Sequence, residues 1–208
     1  MRSVFNELIR IGVWKKENPL RRLRQFKIQE RELSYLDRKQ IDVLLQSLSQ
    51  SINPHVLLIS KVCLVTGARW GEIEGLKIYQ IQNGKIQFSQ TKSKKTRGVP
   101  IDSEIERELV AHHEKFKDYL SERLFESSYA AFISALERAG IQTPKGQATH
   151  ILRHSFASYF VMGGGSIIAL QRILGHSDLK MTMRYAHLAP EHLEQAKFLN
   201  PLAVKAEG

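Results

Sequence analysis

The sequence predicts a mainly α-helical protein with one small antiparallel sheet of three strands, an α+β fold. Apolar residues recur at helical spacing along most of the chain, but between Lys77 and Ile101 they alternate with polar residues. Within that stretch, Tyr79–Gln82 and Lys85–Phe88 flank Asn83-Gly84, a pair typical of tight β-hairpins. A polar turn over Lys92–Thr96 then leads to the third predicted strand, which ends at Ile101.

Helices are predicted on both sides of this sheet. Asp37 and Gln40 have the spacing of a capping box, which predicts the start of a helix there. Pro54 suits the first turn of the next helix, and Gly67 is well placed to end it. The other predicted helices cover about 69–76 before the sheet and about 103–118, 127–139, 149–162, 166–174, 178–187 and 190–198 after it.

The first natural boundary lies near residue 30. Before it, an apolar helical stripe between Val4 and Val13 stops at Asn18-Pro19. The stretch from Arg21 to Glu32 is strongly charged, which fits either a linker lying along DNA phosphates or a solvated charge run. We therefore predict a small N-terminal part with a basic linker over residues 1–30, and one main domain over residues 31–208.

Charge favours a polyanionic partner. The 208 residues include 31 Lys and Arg against 21 Asp and Glu, a formal net charge of +10. Nucleic acid is the commonest partner of so basic a chain, although a basic enzyme without such a partner is the alternative. The start of the chain lacks the features of a secretory leader, no apolar run approaches the ~20 residues that span a bilayer, and the single Cys63 lies in an apolar run. These features predict a cytoplasmic protein.

The segment His150-Ile151-Leu152-Arg153-His154 is a candidate for binding an oxyanion. Residues three and four apart share a helix face, so Arg153 and His154 both lie near His150. A guanidinium and an imidazole so placed suit a phosphate. Two histidines at this spacing also occur in zinc proteases, but those enzymes need Glu where Ile151 stands, so we expect no metal.

Three other segments carry candidate site residues, each weak alone. Arg69 follows the glycine break at Gly67, and Glu72 either holds its guanidinium or caps the helix. His176 follows Gly175 at a sharp turn, and Tyr185 lies in a short helix beyond it; taken singly, such residues are more often structural. A basic cluster occupies the turn of the predicted sheet and is either a DNA contact or a generic exposed loop: Lys92, Lys94, Lys95 and Arg97.

Taken in order, these residues resemble the active set of tyrosine recombinases of the phage integrase family. The resemblance spans about residues 34–190, and residues 4–19 resemble the last helix of the family's core-binding domain. We therefore expect the catalytic domain of a temperate-phage or genomic-island integrase that lacks its N-terminal half, with residues 1–30 as the remnant of the core-binding domain. The matching motifs are Thr66-Gly67-Ala68-Arg69, the run from His150 to Ser158, Leu174-Gly175-His176, and the run from Thr182 to His187.

The resemblance implies site-specific DNA recombination, for integration and excision, by strand cleavage and religation through a 3′-phosphotyrosyl intermediate. It makes Tyr185 the nucleophile, with Arg69 and Arg153 clamping the non-bridging phosphate oxygens and His176 donating a further hydrogen bond. His150 is expected to take the phenolic proton. Lys92 is expected to protonate the departing 5′ oxygen, unless a different register of the turn gives that role to Lys94 or Lys95. No metal or other cofactor is expected.

The implied partners are double-stranded DNA attachment sites and other integrase protomers, as a tetramer on DNA in the bacterial host cell. A C-terminal helix of about 190–199 is expected either to dock on a neighbouring protomer in trans or to pack in cis. Phosphate contacts, which make affinity sensitive to salt, are expected from Arg21, Arg22, Arg24, Lys94, Lys95 and Arg97.

Three alternative functions remain open from the sequence. A type IB topoisomerase shares the Tyr and Arg chemistry, and a relaxation assay without paired sites separates it from a recombinase. A non-catalytic DNA-binding regulator would need a damaged active set, but all six positions hold competent residues. A metal-dependent nuclease would lose its activity in EDTA.

Overall fold

The chain divides into two compact units, Met1–Glu32 and Leu33–Gly208, in a computed structural model that describes residues 1–23, 34–89, 96–144 and 146–190. In the first unit, α1 (Arg2–Arg10) is followed by a segment that folds back on it. Asn18 is buried, and its side-chain amide donates to the Arg2 carbonyl at 2.9 Å and to the Asn6 side chain at 2.6 Å. Phe5 and Trp14 pack edge to face.

The second unit is mainly helical with a three-stranded antiparallel sheet, so the predicted fold class is confirmed. Three helices precede the sheet: α2 (Arg38–Ser49), α3 (Val56–Thr66) and α4 (Trp70–Glu74). Those that follow the sheet are α5 (Ser103–Leu120), α6 (Tyr129–Arg138), α7 (His150–Met162), α8 (Ile167–Leu174) and the short α9 (Lys180–Met183).

The sheet has the order β1 (Ile81–Gln82), β2 (Lys85–Ser89), β3 (Thr96–Pro100). Asn83 and Gly84 both have positive φ, 51° and 68°, which matches the right-handed twist of the strands that they join. Alternate side chains on β2 and β3 enter the core, as the predicted alternation requires: Ile86, Phe88 and Val99.

Among its described residues, the second unit has two hydrophobic clusters that stabilise it. The larger joins α2, α3, α5, α6 and the start of α7 to the inner face of the sheet. The smaller is formed by the rest of α7 together with α8 and the segment after α9, and it contains the ring of Tyr185. Within the described ranges, each helix is too short or too polar to cross a bilayer.

Local signals located several helix ends correctly. The predicted capping box is present at α2, where the Asp37 carboxylate accepts from the Gln40 amide at 2.8 Å and the Gln40 side chain accepts from the Asp37 amide at 3.0 Å. Gly67 ends α3 with φ +64°, a left-handed conformation that glycine adopts without strain. A Cβ at this position would lie 2.3 Å from the Phe156 ring and 2.8 Å from Leu174.

Other predicted elements differ from the structure. Residues 78–80 form a 3₁₀ turn, so the predicted strand over Tyr79–Gln82 is reduced to its last two residues. Helix α3 begins at Val56, after Pro54 rather than with it in the first turn. The predicted helix over 178–187 is two short pieces, α9 and a 3₁₀ turn over Ala186–Leu188. Helix α4 covers only the middle of the predicted 69–76, and the predicted helix over 190–198 lies almost wholly outside the described residues.

We expect Gly67→Ala to lower the free energy of unfolding by at least about 2 kcal/mol, because the added methyl group combines a positive φ with a clash against two packed side chains. Urea unfolding measures this change. Gly71→Ala is the matched control, because a Cβ there meets nothing within 4 Å. That variant should be more stable than wild type by about 0.5–1 kcal/mol, as expected for Ala in place of Gly within a helix. Equal stability of the two variants would contradict the packing described here.

Candidate active site

Arg153 lies at the centre of the candidate site. Its side chain is buried on α7, where Nη1 donates to the Gly67 carbonyl and Nη2 to the Leu174 carbonyl, both at 2.8 Å. Burial, and then the nearby Arg69, lower the pKa of Arg153 to about 10, so the guanidinium stays charged at neutral pH. Arg153 therefore joins the end of α3 to the end of α8 and places a fixed positive charge between them.

Arg69 supplies a second positive charge, and this one is open to solvent. It is the N-cap of α4, with extended backbone, and its side chain is 43% exposed. The Glu72 carboxylate accepts from the Arg69 backbone amide at 2.8 Å and lies 3.5 Å from its guanidinium. Glu72 thus both caps the helix and holds the guanidinium, the two roles between which the sequence did not decide.

His176 follows Gly175, whose φ of +68° ends α8. Its Nδ1 lies 2.8 Å from the Thr182 hydroxyl, which leaves Nε2 as the nitrogen that can bind a substrate oxygen. Burial and then the positive charges of Arg153 and Arg69 lower the pKa of His176 to about 4. The ring is therefore neutral at pH 7, and it donates a hydrogen bond only from the nitrogen that carries its proton.

Tyr185 is almost fully buried, with 1% of the residue exposed. Its hydroxyl lies 2.6 Å from Nδ1 of His154. Burial raises the pKa of the phenol above 10, and the charges of Arg184 and Arg153 oppose this rise without cancelling it. Burial, and then Arg184, lower the pKa of His154 to about 4, so the pair consists of a neutral phenol and a neutral imidazole.

The sequence pointed to His150 as the partner of the phenol, but the described contact is made by His154. His150 begins α7 and is exposed, and its ring centroid lies 6.3 Å from that of His154. The spacing of the two histidines was the available signal for His154. That spacing by itself suggests a metal pair, and nothing local in the sequence indicates which histidine meets a tyrosine 31 residues away.

Arg97, for which the sequence predicted DNA contact, has its guanidinium turned towards the protein. Nη1 and Nη2 donate to the two Glu72 oxygens at 2.9 and 2.8 Å, Nε donates to the Ile173 carbonyl at 2.8 Å, and 9% of the side chain is exposed. Burial would raise the pKa of Glu72, but hydrogen bonds from Arg97 and from the Arg69 amide hold it below its usual value. No spacing or motif in the sequence indicates this ion pair.

The other predicted DNA contacts belong to the first unit or lie outside the described residues. Arg21 and Arg22 are exposed in the first unit, and Arg21 forms an ion pair with Glu17. The turn lysines, together with Arg24, lie outside the described residues: Lys92, Lys94 and Lys95. In the four described ranges, no three His, Cys, Asp or Glu side chains come close enough together to hold a metal ion.

Two family models match this chain, one in each of its two compact units. The model of the Phage integrase family matches residues 34–192, and that of the Phage integrase N-terminal domain matches residues 1–27. The integrase of Escherichia phage 186 is 50% identical over 201 residues, 97% of this chain and 58% of that protein. The integrase of Haemophilus phage HP1 is 48% identical over 207 residues, 100% of this chain and 59% of that protein. The chain thus spans less than two thirds of the length of these relatives.

Two solved structures are also similar to this chain. The catalytic domain of bacteriophage HP1 integrase has 48% sequence identity and a TM-score of 0.76, covering 85% of this chain and 100% of that one. The site-specific recombinase XerH, bound to its difH substrate in a pre-cleavage complex, has 25% identity and a TM-score of 0.65, covering 85% of this chain and 57% of that one.

We expect the protein to lose stability as the pH falls from about 7 to about 5. The pKa values of His154 and His176 are near 4 in the folded protein, against an ordinary 6.5, so in this range the unfolded chain binds protons that the folded chain does not. Each such histidine lowers the free energy of unfolding by up to about 1.4 kcal/mol per pH unit. In urea unfolding, His154→Gln should show a shallower pH dependence than wild type, and equal slopes would contradict the low pKa of His154.

Proposed function

Because the chain belongs to the phage integrase family, we propose that it cleaves and rejoins DNA strands through a covalent 3′-phosphotyrosyl intermediate, in site-specific integration and excision. The observation that carries this proposal is the set of hydrogen bonds made by Arg153. They hold together the segments that bear Arg69 and His176, and Tyr185 lies close enough for the charge of Arg153 to act on its phenol.

Such a cluster suits an in-line displacement at a phosphodiester. The substrate is an anion and its transition state carries further charge, so fixed positive charges and oriented donors supply most of the catalysis. Arg69 and Arg153 bind the two non-bridging oxygens in this proposal, and Nε2 of His176 donates a third hydrogen bond. Because the arginines are held by protein carbonyls and a carboxylate before DNA arrives, little reorganisation accompanies the reaction.

The nucleophile must be uncovered before it can attack. A phenol oxygen on a residue that is 1% exposed cannot come within about 3 Å of a phosphorus atom in a DNA backbone. The ring is held in the smaller hydrophobic cluster, and the described segment that carries it, from α8 to residue 190, contains only α9 and a single 3₁₀ turn. We propose that DNA binding moves this short segment and brings Tyr185 to the phosphate.

The proton of the phenol goes to His154 rather than His150 in this proposal, because His154 already contacts the hydroxyl. Without DNA the transfer is strongly unfavourable. Burial raises the pKa of the phenol above its ordinary value and lowers the pKa of the imidazole to about 4, so both shifts oppose the transfer. A bound phosphate anion opposes the arginine charges that lower the pKa of His154. It therefore makes the imidazole a better base only when substrate is present.

The chemical step balances without an outside reactant. The Tyr185 oxygen forms a bond to phosphorus as the bond to the 5′ oxygen breaks, and the departing oxygen takes a proton from Lys92 (or from Lys94 or Lys95) in this proposal. The 3′-phosphotyrosyl bond conserves the energy of the broken phosphodiester, so attack by a free 5′ hydroxyl rejoins a strand without ATP. Arginine charges offset the charge of the phosphate, and the proposal calls for no metal ion.

The proposed partners are double-stranded attachment sites and further copies of the chain. XerH is described as bound to its difH substrate, which supports a DNA partner for this chain. We propose a tetramer on DNA, with a C-terminal helix of about 190–199 docked on a neighbouring protomer. Phosphate contacts are proposed for the exposed Arg21 and Arg22, and also for Arg24, Lys94 and Lys95, which would make binding weaken steeply with salt.

Tyr185→Phe should abolish covalent attachment to DNA and leave the fold intact, because it removes one oxygen and keeps the buried ring. The measurement is incubation with a nicked half-site from the protein's attachment sequence, followed by denaturing gel electrophoresis. Tyr159→Phe, on α7, is the matched control and should retain the covalent band. A band from Tyr185→Phe would identify another residue as the nucleophile.

His154→Gln should slow single-turnover cleavage by about 100-fold or more at neutral pH, since a general base contributes roughly that factor. In this variant only the ionised phenol attacks, so the rate should rise about tenfold per pH unit up to about pH 9. Wild type and His150→Gln should have flatter profiles. If His150→Gln shows the steep profile and His154→Gln does not, the base is His150.

A further inference from the structure

The side chain of Arg97 lies behind the candidate site rather than on its surface. Its guanidinium is bound on three nitrogens, two by Glu72 and one by the Ile173 carbonyl, at 2.8–2.9 Å. One flat face lies over the Phe88 ring, with 4.5 Å between the guanidinium carbon and the ring centroid. A planar fork with donors in fixed directions fits this position, whereas an ammonium group could satisfy only part of it.

The groups that bind Arg97 belong to the two segments that carry Arg69 and His176, the residues proposed to bind the phosphate. Glu72 is the carboxylate that accepts from the Arg69 amide. Ile173 directly precedes Leu174, whose carbonyl binds Arg153, and His176 follows two residues later. The two contacts of Arg97 therefore reach the backbone on either side of the space in which Arg69 and His176 would hold a phosphate.

Arg97 itself lies on the β2–β3 hairpin. It lies on β3, paired with Phe88 of β2, and the chain between these two strands includes Lys92, the proposed general acid. An error in the position of β3 would therefore misplace one end of the chain segment that carries Lys92. Hydrogen bonds of the Arg97 side chain connect this hairpin both to Glu72 and to the end of α8.

We propose that Arg97 is a positioning residue: it acts through Glu72 and the Ile173 carbonyl to align Arg69, the turn before His176 and the β2–β3 hairpin, and it does not bind DNA phosphate. This inference rests on the proposed cleavage function. The charges agree with it, because the Glu72 carboxylate offsets the charge of Arg97 and leaves Arg69 and Arg153 as the cations available to substrate. Displacement of a reacting group by about 1 Å costs roughly 100-fold in rate, which sets the expected size of the effect.

The test compares Arg97→Lys with Arg107→Lys, a control at an exposed position on α5. Both substitutions keep the charge and remove the fork. Three quantities are measured on the full chain: affinity for the nicked half-site across a range of salt, single-turnover cleavage at saturating DNA, and the free energy of unfolding. Arg97→Lys should bind DNA as wild type does, with the same salt dependence, but cleave about 100-fold more slowly. Arg107→Lys should match wild type in both DNA affinity and cleavage rate.

Variants of Glu72 test whether Arg97 acts through the Glu72 carboxylate. Glu72→Asp keeps the charge but shortens the carboxylate by one methylene, so it should also lower the cleavage rate without changing DNA affinity. Because the two residues act as one unit, the double variant Glu72→Asp/Arg97→Lys should lose no more than the worse single variant. This double-variant comparison remains informative even if one single variant is less stable.

Several outcomes would overturn the inference. If Arg97→Lys cleaves like wild type while Arg97→Gln binds DNA more weakly and lowers the salt slope by about one, Arg97 is a phosphate contact. Additive losses in the double variant would show that Arg97 does not act through Glu72. If wild type itself forms no covalent complex, the cleavage function fails and the inference falls with it. A wild-type complex together with full activity in Arg97→Lys rejects the positioning role alone.

Discussion

The candidate site depends on one interaction, the pair of hydrogen bonds from buried Arg153 to the carbonyls of Gly67 and Leu174. Both carbonyls lie at helix C-termini, where backbone acceptors lack helical partners and the helix dipole is negative. Both helices end at glycines in the left-handed conformation, which turns the chain sharply towards Arg69 on one side and His176 on the other. Removing the guanidinium would leave two buried acceptors unpaired, and removing the acceptors would leave a buried charge.

The balance of charge around this interaction follows a consistent pattern. Burial, and then the charges of Arg69 and Arg97, lower the pKa of Arg153, so both arginines lie close enough to act on its guanidinium. Glu72 binds Arg97 through both oxygens and caps the backbone of Arg69, so one carboxylate stabilises two of the three. Burial, and then nearby positive charges led by Arg184 at His154 and by Arg153 at His176, keep both imidazoles neutral. The result is a cluster of oriented donors with an excess of positive charge, suited to an anion.

Tyr185 belongs to the core as well as to the candidate site. Its ring contributes to the smaller hydrophobic cluster, and its hydroxyl is the group that we propose attacks DNA. The hydrogen bond to His154 satisfies a polar group that would otherwise be costly to bury. From the end of α8 to residue 190, the described chain contains only α9 and one 3₁₀ turn, and a segment with few helical hydrogen bonds rearranges at low free-energy cost.

The sequence by itself determined the features that depend on neighbouring residues: the capped start of α2, the Asn83-Gly84 hairpin, the glycine ends of α3 and α8, and the order of the candidate site residues. It failed where short segments have weak local preference, so that packing reduced the strand predicted over 79–82 and divided the helix predicted over 178–187. Only the tertiary structure decided that His154 meets the phenol and that Arg97 pairs with Glu72. These contacts join residues 31 and 25 positions apart, and no local spacing or periodicity specifies such a pairing.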